Sequence, residues 1–184
     1  FYISVAHEII SFIFEYQLNI AAHASHETIE SLTSFLGIGG VATNSVSLIF
    51  ALFGTSMLIR YFSLATCLTL YPIAIGGLIW WTYTSPDQWT FLMAIVLLKA
   101  INYALNDPCI ELAYIPTTRD IKFKAKSWID VQGLRLAQSI GAGIGAAFTP
   151  VALLGYGALT GLGVIVAWIP LAHMVGKEQE KFQK

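Results

Sequence analysis

The sequence predicts an all-α membrane protein of about six transmembrane helices, and two observations support this fold class. Of the 184 residues, 56% are hydrophobic and only 11% are charged, whereas a soluble domain carries about 25% charged residues. The apolar residues are also gathered into long runs, and a bilayer core of about 30 Å needs roughly 20 such residues in a helix. Because lipid cannot satisfy backbone polar groups, each run is expected to be helical.

Six apolar runs define the predicted spans. In chain order they are residues 1–22, 35–59, 62–82, 89–105, 129–154 and 156–175. The fourth run is short unless it continues to Pro108. Pro72 and Pro170 fall inside predicted spans, where kinks are tolerated. Two of the links are predicted turns, residues 85–88 because of Ser-Pro-Asp-Gln and residues 155–157 because of Gly-Tyr-Gly.

The loop cations predict the orientation, because cytoplasmic loops accumulate Lys and Arg. Eight of the ten Lys and Arg residues fall on links of one parity: Arg60, Arg119, Lys122, Lys124, Lys126, Lys177, Lys181 and Lys184. The opposite links, residues 22–34, 84–88 and 155–157, contain none. Both ends of the chain are therefore expected in the cytoplasm.

The domain organisation follows from these spans. Residues 1–176 are predicted to form one six-helix bundle that includes a basic cytoplasmic loop at 108–128, and residues 177–184 to form a cytoplasmic tail. Six helices with both ends on the cytoplasmic side match one half of a twelve-helix carrier. Because an apolar run starts at Phe1, the chain is expected to be part of a longer protein. Its expected partners are the lipid bilayer and the missing half.

Two ionisable residues inside predicted spans are functional candidates, because such a residue costs at least about 2.5 kcal/mol on insertion. Glu15 is predicted to be a proton or counter-ion site or a carboxylate that contacts substrate. A structural carboxylate near the outer interface is the alternative. Lys99 either attracts an anionic substrate or extends to the interface. His7 and Glu8 are expected in the inner half of the first span if it begins before Phe1, or near a head-group region if it begins at Phe1, and a structural role is favoured for both.

The start of the fifth predicted span combines small and polar residues. A small-residue stripe that runs from Gly133 to Gly145 would allow close approach of another helix. Asp130 lies on this stripe, whereas Arg135 points to another side and Gln138 lies between them. Arg135 is suited to bind phosphate through two parallel hydrogen bonds. The alternative is that Asp130 and Arg135 are interfacial charges that end the span.

The sequence carries no pattern typical of an enzyme, a metal site or a cofactor site. It has no Walker loop, dinucleotide-binding glycine pattern, zinc-ligand spacing or nucleophile elbow. Cys67 and Cys109 are expected to be small buried hydrophobic residues. The histidines at 23, 26 and 173 are expected to be solvated or to face lipid head groups. We therefore predict no enzymatic activity, no cofactor, no metal and no nucleic-acid partner.

The segment from Asn106 to Arg135 carries the most specific pattern. It reads NDPCIELAYIP, followed by KFKAKSWID and a helix that contains Gly-Leu-Arg. A basic loop of this kind is generally suited to anionic lipid head groups. The segment closely resembles the ATP/ADP carrier family of obligate intracellular bacteria and plastids. That family has an Asn/Asp-Pro-Cys-Lys-Glu-Met-x-Tyr-Ile-Pro run, then Lys-Phe-Lys-x-Lys-x-Trp/Ala-Ile-Asp and Gly-x-Arg.

The resemblance implies the C-terminal half of a major-facilitator-like carrier that exchanges nucleotides such as ATP and ADP by alternating access in an inner membrane. It places substrate-binding or coupling roles on Glu15, Lys99, Asp130, Arg135 and Gln138. It also implies that a basic loop gathers nucleotide at the cytoplasmic mouth, through Arg119, Lys122, Lys124 and Lys126.

Four positions depart from the family pattern. Asn19, Ile110 and Gln138 stand where the family has lysines, and Asn102 stands where plastid members have a lysine. The departures keep two alternatives open. One is a carrier-fold membrane anchor or sensor that does not transport. The other is a carrier of a different anionic metabolite.

Overall fold

The computed structural model describes residues 2–54, 64–113 and 128–182, and in these ranges the chain is helical and contains no strand. The α-helices are α1 (Tyr2–Ser25), α2 (Ile29–Ile49), α3 (Leu64–Thr84), α4 (Gln88–Ile101), α5 (Asp107–Ala113), α6 (Leu134–Ala147) and α7 (Pro150–Phe182). Three π-helical turns adjoin them: Phe50–Gly54, Asn102–Asn106 and Ile129–Gly133. The all-α prediction is confirmed.

Two stretches of the described residues are long and apolar enough to cross a membrane. They are Ile29–Phe53 and Gln88–Leu112, and Tyr156–Leu171 is a shorter apolar helix. Length and composition alone therefore do not confirm all six predicted spans.

Side-chain caps set the starts of α2 and α4. The Thr28 hydroxyl accepts a hydrogen bond from the Ser31 amide at 3.3 Å, so α2 begins before the predicted residue 35. Glu30 lies in the first turn of α2, where the helix dipole favours a carboxylate. The Asp87 carboxylate accepts from the Trp89 amide at 3.1 Å. Because α3 ends at Thr84 and α4 begins at Gln88, the predicted turn at residues 85–88 is confirmed.

The predicted turn at residues 155–157 is wrong, because the chain breaks earlier. Helix α6 ends at Ala147, Phe148 is extended, and Pro150 starts α7. Proline is favoured in the first turn of a helix, where its missing amide would be unpaired in any case. The Thr149 hydroxyl caps α7 by accepting from the Ala152 amide at 3.3 Å. The glycines at 155–157 therefore lie inside a helix that continues to Phe182.

The helix that begins at Gln88 continues past the predicted end of the fourth span. It passes through the π turn Asn102–Asn106 and ends as α5 at Ala113. Pro108 closely follows the π turn inside this continuous helix, where its missing amide removes one main-chain hydrogen bond. The chain thus stays helical across a segment that also lines a polar cavity.

The helices divide into two layers. Helices α3 and α7 form the back layer, and α1, α2, α4, α5 and α6 form the front layer. Helices α3 and α7 make the most extensive pair contact, and Tyr71 packs edge-on against Trp168 with ring centroids 5.4 Å apart. Helix α1 packs on α4, α6 and α7, and α2 packs on α4. His26 is not solvated as expected, because it is half-buried with its ring edge-on to Phe35 at 5.1 Å.

Small residues permit two of the close helix contacts. A Cβ atom added at Gly141 would lie 2.5 Å from the Phe12 ring, and one added at Gly157 would lie 2.5 Å from the Gln17 amide nitrogen. Ala137, on the same face as Gly141, is fully buried. The predicted small-residue face of α6 therefore packs against α1.

Candidate substrate cavity

A cavity of about 690 Å³ opens between the front helices. Its described walls come from α1, α2, the stretch from α4 to α5, and α6, whereas no described residue of α3 or α7 lines it. The lining side chains are mainly polar: Ser4, His7, Glu8, Ser11, Phe12, Glu15, Thr43, Asn44, Ser47, Lys99, Asn102, Tyr103, Asn106, Asp107, Ile110, Glu111, Leu134 and Gln138. A polar cavity backed by apolar helices is suited to a hydrophilic solute.

An ion pair crosses the cavity from α1 to α4. The Lys99 Nζ atom lies 2.9 Å from the Glu15 Oε1 atom. The Lys99 side chain is 38% exposed and that of Glu15 is 48% exposed, so solvent screens the pair. Ion pairs of this kind contribute about 0–1 kcal/mol to stability. The pair is therefore better suited to exchange partners than to hold the fold together.

The same pair borders a second, smaller cavity of about 250 Å³. Its lining residues include Glu15, Asn19, Thr43, Asn44 and Lys99, four of which also line the larger cavity. The Asn19 amide donates to the backbone carbonyl of Glu15 at 2.9 Å, which leaves the Glu15 carboxylate to Lys99. The two charges thus stand where the two cavities adjoin.

A buried hydrogen-bond chain forms the wall beside this pair. Tyr71 Oη donates to Asn102 Oδ1 at 3.1 Å and contacts His7 Nδ1 at 2.5 Å. A hydroxyl has one hydrogen, so the Tyr71 oxygen accepts from His7 Nδ1. The His7 Nε2 atom is then the acceptor for the Ser11 hydroxyl at 3.4 Å. The chain links α1 to α3 and to the π turn that follows α4.

Asn102, at the start of that π turn, is hydrogen-bonded to residues at and just after its end. Its Nδ2 atom donates to the Asp107 carboxylate at 3.1 Å, and its Oδ1 atom accepts from Asn106 Nδ2 at 2.8 Å. An ionised carboxylate only accepts, so these bonds fix the orientation of both amides. The π turn, a feature frequent at functional sites, thereby presents one face to the cavity.

The cavity wall carries more negative than positive charge. Its described carboxylates are Glu8, Glu15, Asp107 and Glu111, and its one described cation is Lys99. A polyanion in the cavity therefore needs positive charge from outside this set of residues.

The structure brings together three of the five predicted binding or coupling residues. Glu15, Lys99 and Gln138 all line the larger cavity. Arg135 is exposed and does not belong to the cavity lining. Its backbone carbonyl accepts a hydrogen bond from the Ser139 hydroxyl within the helix. Asp130 falls in the π turn Ile129–Gly133, and its side chain lies outside the described part of the structure.

The predicted basic cytoplasmic loop at residues 108–128 is wrong at its start, because residues 108–113 are helical, and residues 114–127 lie outside the described residues. Its four cations are Arg119, Lys122, Lys124 and Lys126, and all of them fall within residues 114–127. Their role therefore stays a prediction.

His7 and Glu8 are not among the predicted binding residues, but both line the cavity, and His7 is only 8% exposed. A signal for them exists in the sequence. Polar residues recur at Ser4, His7 or Glu8, Ser11 and Glu15, a spacing of three or four that places them on one helix face. Tyr71 gave no comparable signal, because its partners lie on other helices.

The family model described as TLC ATP/ADP transporter matches residues 59–178, which is more than half of the chain. The chain is 35% identical over 83 residues to the chloroplast ADP,ATP carrier protein 2 of Arabidopsis thaliana. It is 34% identical over 83 residues to carrier protein 1 of the same plant, and 33% identical over 89 residues to the plastidic ATP/ADP transporter of Solanum tuberosum.

These matches cover 40–44% of this chain but only 13–14% of each relative, so the chain corresponds to a small part of those proteins. No solved structure matches the chain.

Proposed function

The chain belongs to the TLC ATP/ADP transporter family, and from this premise we propose that it is the C-terminal six-helix half of a carrier that exchanges nucleotides. The family consists of membrane transporters, not enzymes. ATP and ADP are the proposed substrates, because the plastid relatives are described as ATP/ADP carriers. The proposed carrier has twelve helices, with both ends of this chain in the cytoplasm.

One observation carries the proposal: the polar cavity is walled by α1, α2, the stretch from α4 to α5, and α6, while α3 and α7 pack behind. A carrier half needs such an arrangement, because the substrate site lies between the two halves and the remaining helices support it. The facing half would complete the cavity and supply further cations.

Within this cavity, Lys99 is the proposed contact for substrate phosphate and Glu15 the proposed coupling residue. Gln138 would contact the same substrate from α6. Arg135, in the first turn of α6, and Asp130, in the π turn before α6, would contact substrate near the start of that helix. The proposed role of the basic segment, from Arg119 to Lys126, is to gather nucleotide at the cytoplasmic mouth by long-range attraction.

Counter-exchange in proteoliposomes tests the proposal. The full-length protein is reconstituted in vesicles loaded with ADP or left empty, and uptake of labelled ATP and ADP is followed. We expect saturable uptake that depends on internal nucleotide. If no nucleotide gives saturable uptake or exchange, the proposal is wrong, and exchange of a different anionic metabolite would replace ATP and ADP as the substrates.

A second candidate function is a carrier-fold membrane anchor or sensor that binds nucleotide without transporting it. A specific observation favours it: all four departures from the family lysines line the cavities, Asn102, Ile110 and Gln138 the larger one and Asn19 the smaller one. Nucleotide-dependent thermal stabilisation without any exchange would support this second function.

A further inference from the structure

We infer that the Glu15 carboxylate is an internal anion that occupies the substrate-phosphate position at Lys99 until phosphate displaces it. The inference deepens the proposed function and rests on it. It assigns to Glu15 a role that opposes phosphate binding, in contrast to a residue that adds affinity. The ligand class is a phosphate or pyrophosphate group.

The geometry supports competition for one position. Glu15 Oε1 lies 2.9 Å from Lys99 Nζ, the distance of a charge-assisted hydrogen bond. Both side chains line both cavities and are about half-exposed, so a solute in either cavity reaches them. A phosphate oxygen that contacts the same ammonium would occupy the place of the carboxylate oxygen, since both are anionic acceptors.

The surroundings explain why an internal anion is useful. A lone ammonium in a transmembrane segment is costly, and a carboxylate partner reduces that cost in the empty cavity. Lys99 is the one described cation of the cavity lining, so substrate phosphate has no equivalent alternative among the described residues. Substrate binding therefore exchanges one anion for another at the same ammonium.

Glu8 provides a matched control. It lies on α1 two turns before Glu15 and lines the same cavity, but it forms no ion pair with Lys99 among the described residues. Glu8→Gln removes the same charge from the same cavity without releasing Lys99. A general reduction of negative charge would act similarly in both variants, whereas displacement of an internal anion acts mainly in Glu15→Gln.

The test is thermal-shift titration of the purified full-length protein with inorganic pyrophosphate, ADP and adenosine. The variants are Glu15→Gln, Glu8→Gln, Lys99→Gln and the double variant Glu15→Gln with Lys99→Gln. The unfolding midpoint of each variant without ligand shows whether it is folded. Adenosine is included because it lacks phosphate.

We expect Glu15→Gln to tighten pyrophosphate and ADP binding by about threefold to fivefold, the range open to a screened ion pair. The gain in pyrophosphate and ADP affinity for Glu8→Gln should be less than half of the gain for Glu15→Gln. Lys99→Gln should weaken binding by at least about tenfold, and the double variant should match Lys99→Gln. Adenosine affinity should not respond to Glu15→Gln.

The inference is overturned if Glu15→Gln leaves pyrophosphate affinity unchanged or weakens it. It is also overturned if Glu8→Gln produces an equal gain, or if Glu15→Gln still tightens binding when Lys99 is replaced. Failure of the proposed function shows differently, as absence of nucleotide exchange in wild-type proteoliposomes. Pyrophosphate binding tests the ion pair whether or not a nucleotide is exchanged.

Discussion

The back layer of this bundle is held by buried apolar packing, whereas the front layer contains polar contacts around a cavity. In the back layer, α3 and α7 meet through buried apolar residues such as Ile75, Ile79 and Trp168. In the front layer, α1 and α4 meet partly across a cavity, through a solvent-screened ion pair. The back layer holds one arrangement, whereas the front layer keeps contacts that a substrate is able to replace.

This contrast predicts that back-layer substitutions change stability and front-layer substitutions change binding. Alternating access in carriers is largely a rigid-body movement of one bundle against another. Such a movement needs a stable scaffold behind the site and replaceable contacts within it.

Replacement of Trp168 tests the back layer. Trp168→Ala removes a ring that is only 2% exposed and packs against Tyr71. Removal of a buried aromatic side chain costs about 3–5 kcal/mol of unfolding free energy. We expect a large fall in the unfolding midpoint in detergent. Trp80→Ala is the control, because Trp80 is 61% exposed and its loss should change the midpoint little.

Tyr71 tests the junction between the layers. Tyr71→Phe keeps the ring that packs on Trp168 but removes the hydroxyl that links His7 to Asn102. A buried donor or acceptor left without a partner costs about 1–3 kcal/mol. The unfolding midpoint should therefore fall, although less than for Trp168→Ala. Tyr83→Phe, at an exposed residue, is the matched control, and an equal change in both variants would contradict the network.

Gly157 tests the contact of the front helix α1 with the back helix α7. A Cβ atom at this position would lie 2.5 Å from the Gln17 amide nitrogen, and Gln17 itself donates to the Leu153 carbonyl at 3.1 Å. Gly157→Ala should cost about 1–3 kcal/mol, because extra atoms in a packed contact force a shift. Thermal unfolding measures the loss. Gly163→Ala, where a Cβ atom would meet nothing within 4 Å, should be neutral or stabilising.

Gln138 tests the front layer alone. Gln138→Lys adds a cation to a cavity whose described lining holds four carboxylates and one lysine. A partly exposed charge contributes up to about 1 kcal/mol, so ADP affinity should increase by up to about fivefold. The midpoint without ligand should stay nearly constant. A large fall in that midpoint without tighter ADP binding would show that Gln138 serves packing and not the cavity.

The sequence predicted the helical class and three residues that line the cavity from separate helices: Glu15, Lys99 and Gln138. Glu15 and Lys99 were identifiable because an ionisable side chain within an apolar run needs a physical reason. Their mutual pairing was not predictable, because it depends on how α1 packs against α4, which no local pattern encodes.

Two other features needed the structure for similar reasons. The hydrogen-bond chain joins Tyr71 to partners at sequence separations of 64 and 31 residues. The break before Pro150 was missed because the glycines at 155–157 have the composition of a turn. Glycine serves there to let α7 approach Gln17, a packing role that only the neighbouring helix reveals.

The most direct test of the central claim compares wild-type and Lys99→Gln protein in proteoliposomes loaded with ADP. We expect wild-type protein to exchange labelled ADP in a saturable way, and Lys99→Gln to raise the concentration for half-maximal exchange by at least about tenfold while the protein stays folded. Equal exchange by the two proteins would contradict the assignment of Lys99 as the phosphate contact. Absence of exchange by the wild-type protein would contradict the carrier itself.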